Sequence, residues 1–127
     1  MKVHNPSVIA APLGRYSNGI SAPAGGRWLH IAGQIGVRPD GSLAEGFAAQ
    51  AEAAWSNLVA ILQDAGMTVD HLVKVNHFLV QASDLTDYIP IRMKFLGEAR
   101  PASTLIVVQA LAKPEWHFEV DAVAWHP

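Results

Sequence analysis

The sequence predicts an α+β fold, and three observations carry the prediction. Apolar residues recur at spacings of three and four from about Leu43 to Ala65, as on one face of a helix. Short β-branched and aromatic runs flank that stretch on both sides, as strands do. Half of the 127 residues are hydrophobic and only 16% are charged, so there is ample apolar surface for a helix layer to pack on a sheet. The length suits one domain spanning residues 1–127, because two cores in so short a chain would each be marginal.

Residues 1–16 read as a short strand and a Pro-interrupted loop ending at Gly14, Arg15 and Tyr16. Ser17 to Ala22 and Trp28 to Ala32 then read as a hairpin, its turn built on the Gly25-Gly26 pair. Gly33, Gln34 and Ile35 fall in a loop, and Arg38-Pro39-Asp40-Gly41 is a turn signal. In the long helix, Phe47, Ala51, Ala54, Leu58, Ile61 and Ala65 share the core face, widened by Trp55 and Leu62, and Gly66 is placed to end it. Leu72 to Val80 is a half-buried strand, with Lys74 and Asn76 alternating against Val73, Val75, His77 and Leu79. A second helix is expected from about Asp87, with Pro90 in its first turn and Tyr88, Ile91, Arg92 and Phe95 on one stripe; Pro101 bars its continuation past Arg100. Leu105 to Val108 reads as a strand covered on both faces, by the long helix and by a neighbouring subunit. The last strand alternates Phe118, Val120, Ala122 and Ala124 with Glu119, Asp121, Val123 and Trp125.

Composition narrows the function. Surplus apolar surface on a small domain points to a homo-oligomer. A net charge of -2 and nine scattered Lys and Arg give no footprint for a phosphate backbone, so nucleic acid is not expected as the main partner. The absence of cysteine excludes a thiolate nucleophile and suits a reducing compartment. With no signal-peptide core at the N-terminus and no apolar run long enough to span a bilayer, a cytoplasmic protein without membrane attachment is expected.

Few residues could carry chemistry. Arg92 lies on an apolar stripe and cannot shed its charge, so it either grips a substrate carboxylate or snorkels to solvent or an acidic partner. Glu119 and Asp121 project to one face of a strand, where a carboxylate could orient a water or take its proton, or could simply be solvated. Tyr16 could close over a ligand from its loop or pack with one satisfied hydroxyl. Gln34 could contact a ligand or satisfy loop backbone. The six His show no HxH or HExxH spacing, and no P-loop, dinucleotide fingerprint or GxSxG occurs, so neither metal nor nucleotide cofactor is expected.

The segments Gly14-Arg15-Tyr16-Ser17, Ala32-Gly33-Gln34, Gln50 to Gly66, Pro101-Ala102-Ser103-Thr104 and Phe118-Glu119-Val120-Asp121-Ala122 together resemble the RidA/YjgF family of reactive intermediate deaminases. The resemblance covers nearly the whole chain. It implies a chorismate-mutase-like α+β fold, a mixed sheet with two helices on one face, and a homotrimer whose sheets form an inner barrel with ligand clefts between subunits. Such proteins hydrolyse enamines and imines, for example 2-aminoacrylate, to a keto acid and ammonia without cofactor or metal. By the same resemblance Glu119 orients the hydrolytic water, Tyr16 lines the cleft and Gln34 sits in the family's loop after the second hairpin strand.

The sequence departs from the pattern where deaminating members carry an Arg after the Pro-Ala pair to bind the substrate carboxylate. Ser103 stands there, and Ala32 stands where Ser is common. Arg92 falls near the same cleft and is a candidate replacement for the lost cation. The expectation is a cofactor-free hydrolase of a small imine or enamine. A non-catalytic keto-acid binder of the same fold is the alternative, and an endoribonuclease a third.

Overall fold

In order along the chain, the computed structural model contains β1 (Lys2–His4), β2 (Gly19–Ser21), β3 (Arg27–Ile35), α1 (Phe47–Asp64), β4 (Leu72–Leu79), α2 (Leu85–Leu96), β5 (Ala102–Val107) and β6 (Phe118–His126). Two 3-10 turns, Val69–His71 and Ala82–Asp84, lead into β4 and α2. Four strands make the main sheet in the order β3-β6-β4-β5, while β1 and β2 pair separately. Strand β6 is antiparallel to both neighbours, and β4 and β5 are parallel, joined by α2 as the crossover. This is the α+β class that the sequence predicts.

The core lies between the helices and one face of the sheet. From α1, Ala51, Ala54, Trp55, Leu58 and Leu62 are buried against Ile31, Val75, Leu79, Phe118, Val120, Ala122 and Ala124 of the sheet and Tyr88 and Ile91 of α2. Packing of this stripe outweighs helix propensity, since each fully buried Leu contributes roughly 1.5 to 3 kcal/mol. Helix α1 ends as expected: Gly66 adopts a φ of 70°, the Met67 N–H donates to the Leu62 carbonyl at 2.8 Å, and Arg27 Nη1 donates to the Ala65 carbonyl at 3.1 Å. Strand β6 alternates as expected, with Phe118, Val120 and Ala122 toward the helices and Glu119, Asp121 and Val123 on the helix-free face.

Four expectations are corrected. Strand β2 does not form a hairpin with β3. It pairs with β1, and β3 takes β6 as its partner along nearly its whole length. A ladder that pairs seven residues of β3 and also buries Ile31 outcompetes the three that β2 can offer. The Gly25-Gly26 turn survives, because both residues have positive φ and a Cβ on Gly26 would lie 2.6 Å from the His126 carbonyl oxygen. Gly33, Gln34 and Ile35 belong to β3 rather than to a loop. Helix α2 begins at Leu85, so Pro90 lies in its second turn, where it removes only one intrahelical bond. Finally, α1 packs mainly on β3 and β6, and of the β5 apolar run Leu105 alone packs against the core. Strand β5 is at the edge of the sheet, and Ile106 and Val107 are 43% and 50% exposed.

Candidate functional site

Glu119 is half-buried on the helix-free face of β6. In the β3–β6 ladder the register shifts between Ile31 and Gln34, so Ala32 and Gly33 together oppose Asp121 as a β-bulge. The Glu119 side chain lies directly over this bulge: a Cβ built on Gly33 would come within 1.9 Å of Glu119 Oε1. Only glycine leaves room for that carboxylate. Gln34 braces the same bulge by donating from Nε2 to the Ala32 carbonyl at 3.1 Å. Partial burial, together with the like charge of Asp121, raises the Glu119 pKa above the ordinary carboxylate value. Asp121 is itself tied down by Asn76, whose Nδ2 donates to Oδ1 at 2.7 Å. A carboxylate whose proton affinity is raised in this way is better suited to accept a proton from water.

The other candidates gather at the opposite edge of the sheet. Ser103 is in the second position of β5, half-buried, with Oγ 2.9 Å from Nε2 of the fully buried His77. His77 Nδ1 in turn is hydrogen-bonded to the Tyr88 hydroxyl, which also accepts from Trp55 Nε1 at 3.0 Å. Burial, reinforced by the positive charges of Arg92 and Lys74, lowers the His77 pKa to about 3, and burial raises that of Tyr88. The guanidinium carbon of Arg92 lies 6.0 Å from the Tyr88 ring centroid. Arg92 has no acidic partner, since the chain's two salt bridges are Lys94–Glu52 and Arg100–Glu98. Tyr16 reaches this edge through its neighbour: the Ser17 N–H donates to the Pro101 carbonyl at 3.1 Å, and Ser17 is bridged to Ala102. The Tyr16 hydroxyl accepts from the Leu13 N–H at 3.2 Å, holding the loop closed on itself.

Two partial constellations result. Glu119 and Gln34 sit at the β3–β6 junction, while Ser103, Arg92 and Tyr16 are associated with the β5 edge. Strand β4 and the width of β6 lie between them, and Ser103 bonds to a side chain of the helix-covered face whereas Glu119 occupies the helix-free face. A groove of about 590 Å³, lined by residues including Arg38, Glu52, Ser56 and Asn57, holds none of the five. Sequence reasoning missed His77, Tyr88 and Gly33. The parity of β4 puts His77 among buried Val75 and Leu79, and a buried imidazole must find partners, so the signal existed. No group of three or more His, Asp or Glu side chains is arranged to hold a metal ion.

Comparison with known proteins identifies the group. The family model described as endoribonuclease L-PSP matches residues 8–126. A RutC family protein of Pyrococcus horikoshii is 32% identical over 116 residues, which is 90% of this chain and 89% of that one. The rat 2-iminobutanoate/2-iminopropanoate deaminase is 31% identical over 125 residues, covering 97% of this chain and 88% of its own. Among solved structures, a Rid family protein of unknown function from Yersinia pestis superimposes with a TM-score of 0.83 at 29% identity, covering 98% of both chains. The chain belongs to the L-PSP endoribonuclease family, the RutC and RidA group that its sequence motifs resemble. Its two helices and mixed sheet are the fold of that group. Escherichia coli TdcF with bound serine has the same fold, with a TM-score of 0.75 at 24% identity over the full length of both chains.

Proposed function

We propose that the protein is a cofactor-independent hydrolase of a small imine or enamine, releasing ammonia and a carbonyl product. The observation that carries the reading is the Glu119 carboxylate seated over the Gly33 bulge with its proton affinity raised. The similarity to the rat protein named for imine deamination supports it. A protonated imine is already electrophilic, so the site has to hold the substrate and aim a water. Glu119 takes a proton from that water as its oxygen bonds to the imine carbon. The carboxyl gives that proton to the carbinolamine nitrogen and, ionised again, takes the remaining hydroxyl proton as the C–N bond breaks; ammonia leaves with that proton as ammonium, so protonated imine and water become carbonyl compound and ammonium. Arg92, lacking an acidic partner, anchors the substrate's anionic group; Tyr16 and Gln34 line the site, and Ser103 contacts the ligand.

The reading includes a homotrimer in the cytoplasm. A β5 edge of one subunit beside the β3 edge of the next would unite the two partial constellations and cover Ile106 and Val107. No helix is long and apolar enough to cross a membrane. The decisive test generates an imino acid in situ and times keto-acid release. Wild type is expected to accelerate it and Glu119→Ala is not; equal rates would remove Glu119 from the mechanism. A second reading, a non-catalytic binder of keto acids, is favoured by Ser103 standing where the carboxylate-binding Arg is expected. Thermal stabilisation by keto acids with no turnover of any imine would select it.

A further inference from the structure

We propose that Ser103 is a hydrogen-bond donor of fixed polarity, set by a buried relay running from Trp55 through Tyr88 and His77, and that with Arg92 it forms a two-part anchor for the carboxylate of a small 2-oxo or 2-imino acid. The relay is read from its closed end. An indole N–H can only donate, so Trp55 gives its proton to the Tyr88 oxygen, 3.0 Å away. Tyr88 has one hydroxyl hydrogen, and His77 Nδ1 is the acceptor against it. Were Nδ1 protonated instead, Tyr88 would accept twice and its own hydrogen would face no acceptor at a fully buried position. His77 is neutral, because burial and the nearby charges of Arg92 and Lys74 disfavour a second proton. Its single proton is therefore on Nε2 and is donated to Ser103 Oγ at 2.9 Å.

The consequence lies at Ser103. Its oxygen already accepts from His77, so the imidazole does not deprotonate it, and the pair is not the nucleophile and base that a Ser–His contact first suggests. What Ser103 offers is its own hydroxyl hydrogen, at a half-buried position at the start of edge strand β5, beside the Tyr16–Ser17 loop. Arg92 supplies charge from the helix that carries Tyr88, with no carboxylate of its own chain to neutralise it. In the proposed anchor a carboxylate takes one oxygen to each, Arg92 lying over the ring of Tyr88 and Tyr88 being joined to Ser103 through His77. The guanidinium expected on the strand is thus divided into a cation on α2 and a neutral donor on β5.

The choice of ligand rests on the imine-hydrolase reading, but the test separates the two. Long-range 15N–1H correlation of the His77 ring at neutral pH is expected to find the proton on Nε2. A proton on Nδ1, or covalent labelling of Ser103 by a fluorophosphonate, would overturn the relay. Binding of 2-oxobutanoate is then measured calorimetrically, below each variant's melting temperature, for wild type, Ser103→Ala and Ser103→Thr. The alanine variant is expected to bind at least about tenfold more weakly, the loss of one hydrogen bond to a charged group, while the threonine variant keeps most of the affinity. Equal affinity for wild type and Ser103→Ala, or no binding by wild type, would overturn the anchor. Tight binding without imine turnover would sink the hydrolase reading and leave the anchor standing.

Discussion

Glu119 is a charge held where charge is disfavoured, and the fold tolerates it because Gly33 has no side chain. The raised pKa means that the folded state binds the Glu119 proton more tightly than the unfolded chain does, so at neutral pH the ionised group works against folding. Glu119→Gln is accordingly expected to melt no lower than wild type near pH 7 while losing about 100-fold or more of imine turnover, a pairing that calorimetry and kinetics read separately. Gly33→Ala should reach the same kinetic outcome by another route. Its Cβ falls 1.9 Å from Oε1, so the carboxylate must swing off the bulge, and turnover should drop while circular dichroism stays native. His77 has the opposite sign for stability. Its folded pKa is lowered from 6.5 to about 3, so on unfolding below pH 6.5 the chain takes up a proton that the folded state refuses. Stability should therefore fall as the pH drops from 6.5 toward 3, by about 1.4 kcal/mol per unit from this group. Urea titrations of wild type and His77→Gln across that window isolate the slope, because Glu119 titrates with the opposite sign in both; identical profiles would mean that His77 is not held neutral. Glu119 and Tyr16 were legible as candidates from pattern and resemblance. Gly33 was not, because a bulge is created by the partner strand and a local sequence carries no record of which strand that is.

At the scale of elements, α1 was the most legible because its evidence is local: six apolar residues repeat on one face, and Gly66 marks the end. Strand existence was legible for the same reason, through the alternation in β4 and β6. Pairing was not. The turn at Gly25-Gly26 invited a hairpin, yet β3 pairs with β6, some ninety residues away, since ladder length and burial decide the contest and neither can be read from the turn. The apolar run of β5 was read as doubly covered, but in one subunit it is an edge. The joint between elements that matters most is Tyr88, which ties α2 to α1 through Trp55 and to β4 through His77. Tyr88→Phe keeps the ring and removes both bonds, leaving a buried indole N–H and a buried imidazole nitrogen unpaired. The expected cost is roughly 1 to 3 kcal/mol per orphaned group, measurable by chemical denaturation. A loss below about 0.5 kcal/mol, within the range of neutral surface changes, would show that the polar chain is not holding the layers together.

At the scale of the whole molecule, the chain exposes apolar side chains at its margins and divides its candidate residues between two edges of one sheet. Ile106 and Val107 on β5 and Trp28 on β3 are each 43% to 50% exposed. Glu119 and Gln34 lie toward the β3 edge and Ser103 and Arg92 toward the β5 edge, with Glu119 on the helix-free face and Ser103 bonded on the helix-covered one, so the sheet stands between them. Residue pattern alone reads all five as one list; only the resemblance, with its clefts between subunits, points to a division. If each working site takes its carboxylate from one subunit and its anion anchor from the next, around a closed ring, then two inactive variants should complement each other. Co-expressed Glu119→Gln and Arg92→Ala subunits, carrying different tags and purified as mixed oligomers, supply an intact Glu119 from one and an intact Arg92 from the other. In a mixed trimer with one site per interface, one interface of the three receives both, so about a third of wild-type turnover should return. Each variant alone, and the two mixed without subunit exchange, should remain inactive. Failure to recover activity in verified hetero-oligomers would place the acting residues within a single subunit and refute the shared site.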